Sequence, residues 1–119
     1  MHFLGNQLIA ELMDCDPVVL ADVDLIRGHM LEAARSAGCT IITQAFHHFS
    51  PMGVSGAVII AESHLAIHTW PEYRYAAVDV FTCGEAADPS LAVDTLAKAL
   101  RCRQLTLTAL QRGAVPGRV

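Results

Sequence analysis

The chain has 119 residues, enough for one compact domain with little room for a second. Apolar residues make up 53% and charged residues 17%, a balance that argues against disorder and permits a packed core. The 8 basic and 12 acidic residues leave a net charge of −4 with no basic cluster to neutralise phosphates, so a nucleic-acid partner is not expected. The longest stretch without Asp, Glu, Lys or Arg, residues 36–61, contains Gln44, His47, His48 and Pro51 and is too polar and broken to span a bilayer. No basic patch followed by an apolar run opens the sequence, so no signal peptide is expected. Four cysteines, at 15, 39, 83 and 102, form no CxxC pair and no tight framework, which fits a reducing cytoplasm.

In chain order, Met1 to Met13 reads as an opening strand and Asp14 to Pro17 as a turn. Asp22 is placed to cap a helix running to about Ala37, with Leu25, Ile26, Met30, Ala33 and Ala34 on one stripe and Gly38 ending it. Thr40 to Phe46 reads as a strand, Ser50-Pro51-Met52-Gly53 as a turn, and Val54 to Ala61 as a buried strand. Leu65 to Trp70 alternates, placing Leu65, Ile67 and Thr69 on one face and Ala66, His68 and Trp70 on the other. Tyr75 to Phe81 is a further strand, closed by Thr82-Cys83-Gly84. Asp88-Pro89 is a cap followed by proline at the first helical position. Its helix is expected to reach Arg101 with Ala92, Leu96, Ala99 and Leu100 inward. Gln104 to Leu110 alternates as a last strand, and the tail from Arg112 to Gly117 reads as loose.

Runs of neighbouring strands with two helices predict an α+β, two-layer sandwich: an antiparallel sheet with both helices on one face. The other face then exposes aliphatic and aromatic side chains, and a homodimer packing sheet against sheet would cover it.

The segment from Glu62 to Tyr73 carries the chemistry. A bend between buried strands normally asks for Gly, Asn or Asp, yet Glu62, Ser63 and His64 occupy this one. Read alone, Ser63 is either a turn hydroxyl or a nucleophile. His68 beside Trp70 is either a half-buried, hydrogen-bonded histidine or a functional one. Cys83 is either a small buried hydrophobe or a reactive thiol. His64 and His68 share one face of an extended strand about 13 Å apart, too far for one metal. His47 and His48 point to opposite faces, so solvent-facing and pocket-lining roles are both open. His47, His64, His68 and Cys83 have ligand atoms but no recognisable ligand spacing, and no metal site is expected.

The ordered combination Glu62-Ser63-His64, Ile67-His68-Thr69-Trp70-Pro71-Glu72 and Phe81-Thr82-Cys83-Gly84 resembles the short prokaryotic S-adenosylmethionine decarboxylases. Gly53-Val54-Ser55-Gly56, Leu4-Gly5 with Leu8-Ile9-Ala10-Glu11, and Thr43 with Phe46-His47-His48-Phe49 extend the likeness over most of residues 3–110. The resemblance implies that Ser63 Oγ attacks the Glu62 carbonyl, that His68 takes the Ser63 α-proton with Ser55 assisting, and that Ser63 becomes a pyruvoyl group. A single 1–119 domain is then cleaved into a β chain, 1–62, and an α chain, 63–119. The pyruvoyl carbonyl forms a Schiff base with the substrate and accepts electrons as carbon dioxide leaves. Cys83 is then the proton donor, a role suited to a thiol that is mostly protonated at neutral pH. Phe49 resembles the aromatic that stacks on adenine, and its π face also attracts a sulfonium charge. A carboxylate such as Glu72 suits both ribose hydroxyls, while Phe3 is either an ordinary core phenylalanine or a second apolar wall. Related enzymes place the pocket at a dimer interface. The product expected is the aminopropyl donor for spermidine.

Arg74 stands where the family pattern usually has glycine. If its segment is extended it shares a face with Glu72, beside the sulfonium site. A surface arginine and an altered substrate are the two readings, because some relatives decarboxylate arginine or ornithine. An uncleaved ligand-binding or regulatory relative is a third reading, although Ser63, His68 and Cys83 are all present.

Overall fold

The structure, a computed structural model, describes residues 2–85 and 87–117, so Met1 of the expected first strand lies outside it. Six strands form one sheet: β1 (His2–Met13), β2 (Ile41–His48), β3 (Val54–Ile60), β4 (Ser63–Trp70), β5 (Tyr75–Thr82) and β6 (Gln104–Val115). Their order is β2-β3-β4-β5-β1-β6, and every neighbouring pair is antiparallel. Three α-helices accompany them: α1 (Pro17–Leu20), α2 (Val23–Ser36) and α3 (Pro89–Ala99). The α+β sandwich expected from the sequence is therefore the fold.

Local chemistry sets the helix limits. The Asp22 carboxylate accepts the amides of Asp24 and Leu25, satisfying donors that the first turn of α2 leaves open. At its end Gly38 sits at φ 79°, with bonds from Gly38 N to Arg35 O and from Cys39 N to Ala34 O that define a Schellman close. The second long helix, α3, starts as expected on Asp88-Pro89, and bonds from Ser90 hold the Asp88 carboxyl below the usual range. It closes by the same motif on Arg101 at φ 56°, so the regular helix stops at Ala99 and not at Arg101.

Ile26, Met30, Ala33 and Ala34 of α2 and Ala92, Val93, Leu96 and Leu100 of the α3 region are buried. They pack with Leu12, Leu65, Ile67 and Val80 from the inner sheet face in one core. Leu25, expected on the α2 stripe, is 42% exposed. One residue is a rotation of about 100° on a helix, and Ile26 takes the inward position.

Two further differences concern the chain ends of elements. Asp14–Pro17 is not only a turn, because Asp16 caps the one-turn helix α1 with Pro17 at its first position. The tail from Arg112 is not loose as far as Val115. It continues β6 along β1, pairing Gly5 with Arg112, Phe3 with Ala114 and His2 with Val115. A twelve-residue β1 offers backbone partners over that whole length, and Gly113 supplies a positive φ of 68° within the run.

No helix among the described residues is long and apolar enough to cross a membrane. The outer sheet face has no helix over the β3–β4–β5 strands, and His68 and Trp70 are exposed there while Leu65, Ile67 and Thr69 point inward. Thr69, only 6% exposed, ties the layers together: its hydroxyl accepts the Val54 amide at 2.9 Å and donates to the Leu20 carbonyl at 2.8 Å. Thr69→Val leaves both groups buried without partners, and urea titration is expected to show a loss of about 2–4 kcal/mol.

Candidate active site

The β3–β4 connection is a two-residue turn, since Ile60 pairs with Ser63 across Ala61 and Glu62. Such tight hairpins ordinarily place Gly or Asn in the turn to supply positive φ. Neither turn residue here has it; instead Ser63 is held at φ 145°. That region is rarely occupied by a residue with a side chain and costs on the order of 1–3 kcal/mol.

Three hydrogen bonds hold the bend. Ala61 N donates to Thr40 O at 2.8 Å, and Thr40 N donates to the Glu62 carboxylate at 3.1 Å. The third comes from the end of β5: Cys83 N donates to the Glu62 carbonyl at 2.8 Å. An amide aimed at that oxygen draws electron density from the carbonyl carbon next to the Ser63 nitrogen. Cys83 itself is exposed. Burial pushes the Cys15 thiol up to about 12, and burial followed by the Glu62 charge also raises Cys39. Cys15 is buried and Cys39 partly so, whereas Cys83 is exposed.

A second group forms at the other end of β4. Ser55 on β3 pairs with His68 on β4, and Ser55 Oγ lies 2.7 Å from His68 Nδ1. Phe49, Ser55, His68, Trp70 and Glu72 line one hollow of about 300 Å³. Thr69 helps to fix it, because its bond to Val54 holds the strand next to Ser55 while its backbone follows His68. Trp70 was not singled out as a site residue from sequence. Its alternation with His68 places it on the same face, and its ring stacks on Tyr75 at 5.4 Å between centroids.

The residues of interest thus fall into two groups. Glu62, Ser63 and Cys83 meet at one end of β4; Phe49, Ser55, His68 and Glu72 meet at the other. Phe3 lies toward the first end, 39% exposed, since Asn6 pairs with Thr82, which in turn pairs with Ser63. Five strand positions separate Ser63 from His68, about 16 Å of extended chain. Within one chain His68 does not reach Ser63.

His47 and His48 are both exposed, and the His47 ring meets Phe49 edge-on at 4.6 Å. Among the described residues no cluster of three His, Cys, Asp or Glu side chains is arranged to hold a metal ion.

Arg74 does not share an extended face with Glu72. Pro71–Tyr73 forms a 3-10 turn, and Arg74 closes it in the left-handed region at φ 53°, ψ 36°. Arg74 lines a separate hollow of about 260 Å³ with Asp14, Asp16, Arg101 and Arg103. Glycine adopts this backbone conformation without a Cβ penalty, so the glycine that the family resemblance leads one to expect here is the residue this turn favours.

The description "S-adenosylmethionine decarboxylase" fits residues 6–113 of the chain. The chain is 58% identical over 115 residues to the S-adenosylmethionine decarboxylase proenzyme of Acidithiobacillus ferrooxidans, covering 97% of this chain and 86% of that one. It is 57% identical over 110 residues to the proenzyme of Pseudomonas aeruginosa, covering 92% and 69% respectively. The crystal structure of the adenosylmethionine decarboxylase from Aquifex aeolicus superposes with a TM-score of 0.93 at 33% identity, covering 100% of this chain and 98% of that one. Two-thirds or more of each relative is matched, and the fold agrees from end to end. The chain belongs to the S-adenosylmethionine decarboxylase family.

Proposed function

We propose that the protein is a self-processing S-adenosylmethionine decarboxylase, active in the cytoplasm, whose catalytic carbonyl is made from Ser63 and whose sites each draw on two copies of the chain. The observation that carries this reading is the strained Ser63 beside a Glu62 carbonyl already polarised by the Cys83 amide. Four cysteines without disulfides suit the reducing compartment.

Processing begins when Ser63 Oγ attacks the Glu62 carbonyl carbon. The Glu62–Ser63 C–N bond breaks, an ester replaces the amide, and the Ser63 nitrogen becomes an amine. Strain at Ser63 favours this step because the amide geometry is lost in it, and the Cys83 amide stabilises the oxyanion. A histidine then takes the Ser63 α-proton, the ester C–O bond breaks, and Glu62 leaves as a carboxylate. The resulting dehydroalanine hydrolyses with loss of ammonia. The 1–62 and 63–119 pieces remain one folded unit, because β3 and β4 are neighbours in the same sheet.

The residues present fit this group: a serine at the bend, an activated carbonyl before it, and an exposed thiol at the end of the adjoining strand. A pyruvoyl group there supplies a carbonyl for the substrate amine and an electron sink for decarboxylation. Cys83 holds the proton to be delivered at the substrate Cα. Phe49 offers a π face to adenine and to the sulfonium charge, and Glu72 offers two acceptors to the ribose diol.

The proton-abstracting histidine is His68 of a second copy. The outer sheet face carries Ala45, Ala57 and Ala66 in one transverse row, small enough to admit a facing sheet. A two-fold axis lying between two such faces and crossing β4 near Ala66 reverses the strand direction. It brings the Ser63 end of one copy against the Ser55–His68 end of the other, and it covers an apolar face that water otherwise meets. Arg74, which raised the arginine and ornithine alternative, lines a different hollow from that of Glu72.

Complementation tests the reading. Ser63→Ala and His68→Ala chains are each expected to stay whole when produced alone. Produced together, the His68→Ala chain is expected to be cleaved by the intact His68 of its Ser63→Ala partner; if it stays whole while the wild type is cleaved, the shared site is wrong. Cys83→Ala keeps the amide that polarises Glu62, so it is expected to be cleaved yet to lose about 10²–10⁴-fold in kcat, read as carbon dioxide release. Arg74→Gly removes a left-handed side-chain residue and is expected to raise stability by about 0.5–1 kcal/mol in urea while leaving the KM for S-adenosylmethionine unchanged.

A further inference from the structure

One line of polar side chains crosses the outer sheet face from β4 to β6. His64 Nε2 lies 2.9 Å from Asp79 Oδ2, Gln7 Nε2 donates to the same oxygen at 3.1 Å, and Arg112 Nη1 donates to Gln7 Oε1. The line is anchored on Phe81. The His64 ring stacks on it at 5.8 Å and 24°, and the Arg112 guanidinium sits 5.6 Å from its centroid. Phe81 in turn lies over Gly5, where an added Cβ would fall 2.8 Å from the ring. Gly5 thus gives the ring its seat.

We propose that His64 and Asp79 are positioning residues that hold residue 63 against Cys83 once the chain has been cut; the inference rests on the function proposed above. Before cleavage Ser63 is tied on both sides, through Glu62 and through His64. Afterwards it is a chain end joined only to His64, and free ends fray. The two-residue turn that held it no longer connects to it. The His64 side chain replaces that tether by fastening the end of β4 to Asp79 on β5, the strand that leads directly to Cys83. Gln7 holds the Asp79 carboxylate from the far side, and Arg112 in turn holds Gln7. The core contacts of Leu65, Ile67 and Val80 lie on the opposite face, so the line is separable from the packing within one chain, while it shares the outer face with the proposed contact between copies.

Asp79→Leu keeps the size of the side chain and removes the acceptor; Asp79→Asn keeps an acceptor oxygen and removes the charge. Both are compared with wild type for unfolding midpoint, cleavage and steady-state decarboxylation. Asp79→Leu is expected to lose roughly 10–100-fold in kcat with KM within about threefold, and Asp79→Asn to recover to within about threefold of wild type. A merely structural role would move the unfolding midpoint without this split and this rescue. Wild-type kcat in Asp79→Leu overturns the inference, and so does Asp79→Asn as slow as Asp79→Leu, which would mean that charge and not position matters. If Asp79→Leu does not fold, His64→Leu is read by the same kcat-against-KM criterion. Wild type that stays whole removes the proposed function and this inference together; wild type that is cleaved and active beside an unimpaired Asp79→Leu removes the inference alone.

Discussion

The hydrogen bond from the Cys83 amide to the Glu62 carbonyl joins the two things this chain must do. It spans from the end of β5 to the β3–β4 turn, so it closes the sheet at that end and fixes the turn. The same bond aims a donor at the one carbonyl that precedes a strained serine. A bond made through the backbone is insensitive to the cysteine's own chemistry, which leaves the thiol free for a separate task. In the proposed mechanism, carbonyl activation and proton donation thus occupy one residue without competing for one atom.

The second constraint is the reach of an extended strand. With about 3.3 Å per residue, β4 separates its two functional ends by more than any side chain spans. On the proposed reading, a hairpin of this kind holds two halves of a site and no whole one. The uncovered outer face, with small alanines across its middle and aromatic residues toward the His68 end, gives the halves a way to meet. In this account catalysis and association rest on the same surface. The inward Thr69, bonded to Val54 and Leu20, keeps the Ser55–His68 half rigid from behind.

Much of this was legible in the residues. The alternation from Leu65 to Trp70 separated core from outer face, and the odd chemistry of Glu62-Ser63-His64 marked the bend where Ser63 takes its positive φ. Other parts were not legible for physical reasons. Spacing along an extended strand already kept His64 and His68 apart, but which residues of β3 and β5 lie beside each end of β4 is set by sheet register, which the pattern along one chain does not report. Arg74 looked like a neighbour of Glu72 only if the segment were extended, and the 3-10 turn after Pro71 sends it elsewhere. The end of β6 read as loose because Gly113 and Pro116 are poor strand formers, yet the length of β1 overrides that preference. The line from His64 to Arg112 is made of pairs 15, 72 and 105 positions apart in sequence, and no local signal connects them. Asp16-Pro17 was an exception: it carries the same cap as Asp88-Pro89, and only the shortness of its helix hid it.

Intact-mass spectrometry of the purified protein, before and after treatment with a carbonyl-reactive hydrazine, tests the central claim most directly. The account predicts two species, one ending at Glu62 and one beginning at position 63 with no amino terminus, of which only the second gains the mass of one hydrazone. A single species spanning all residues contradicts it, as does a second fragment that begins with an ordinary serine and takes up no reagent.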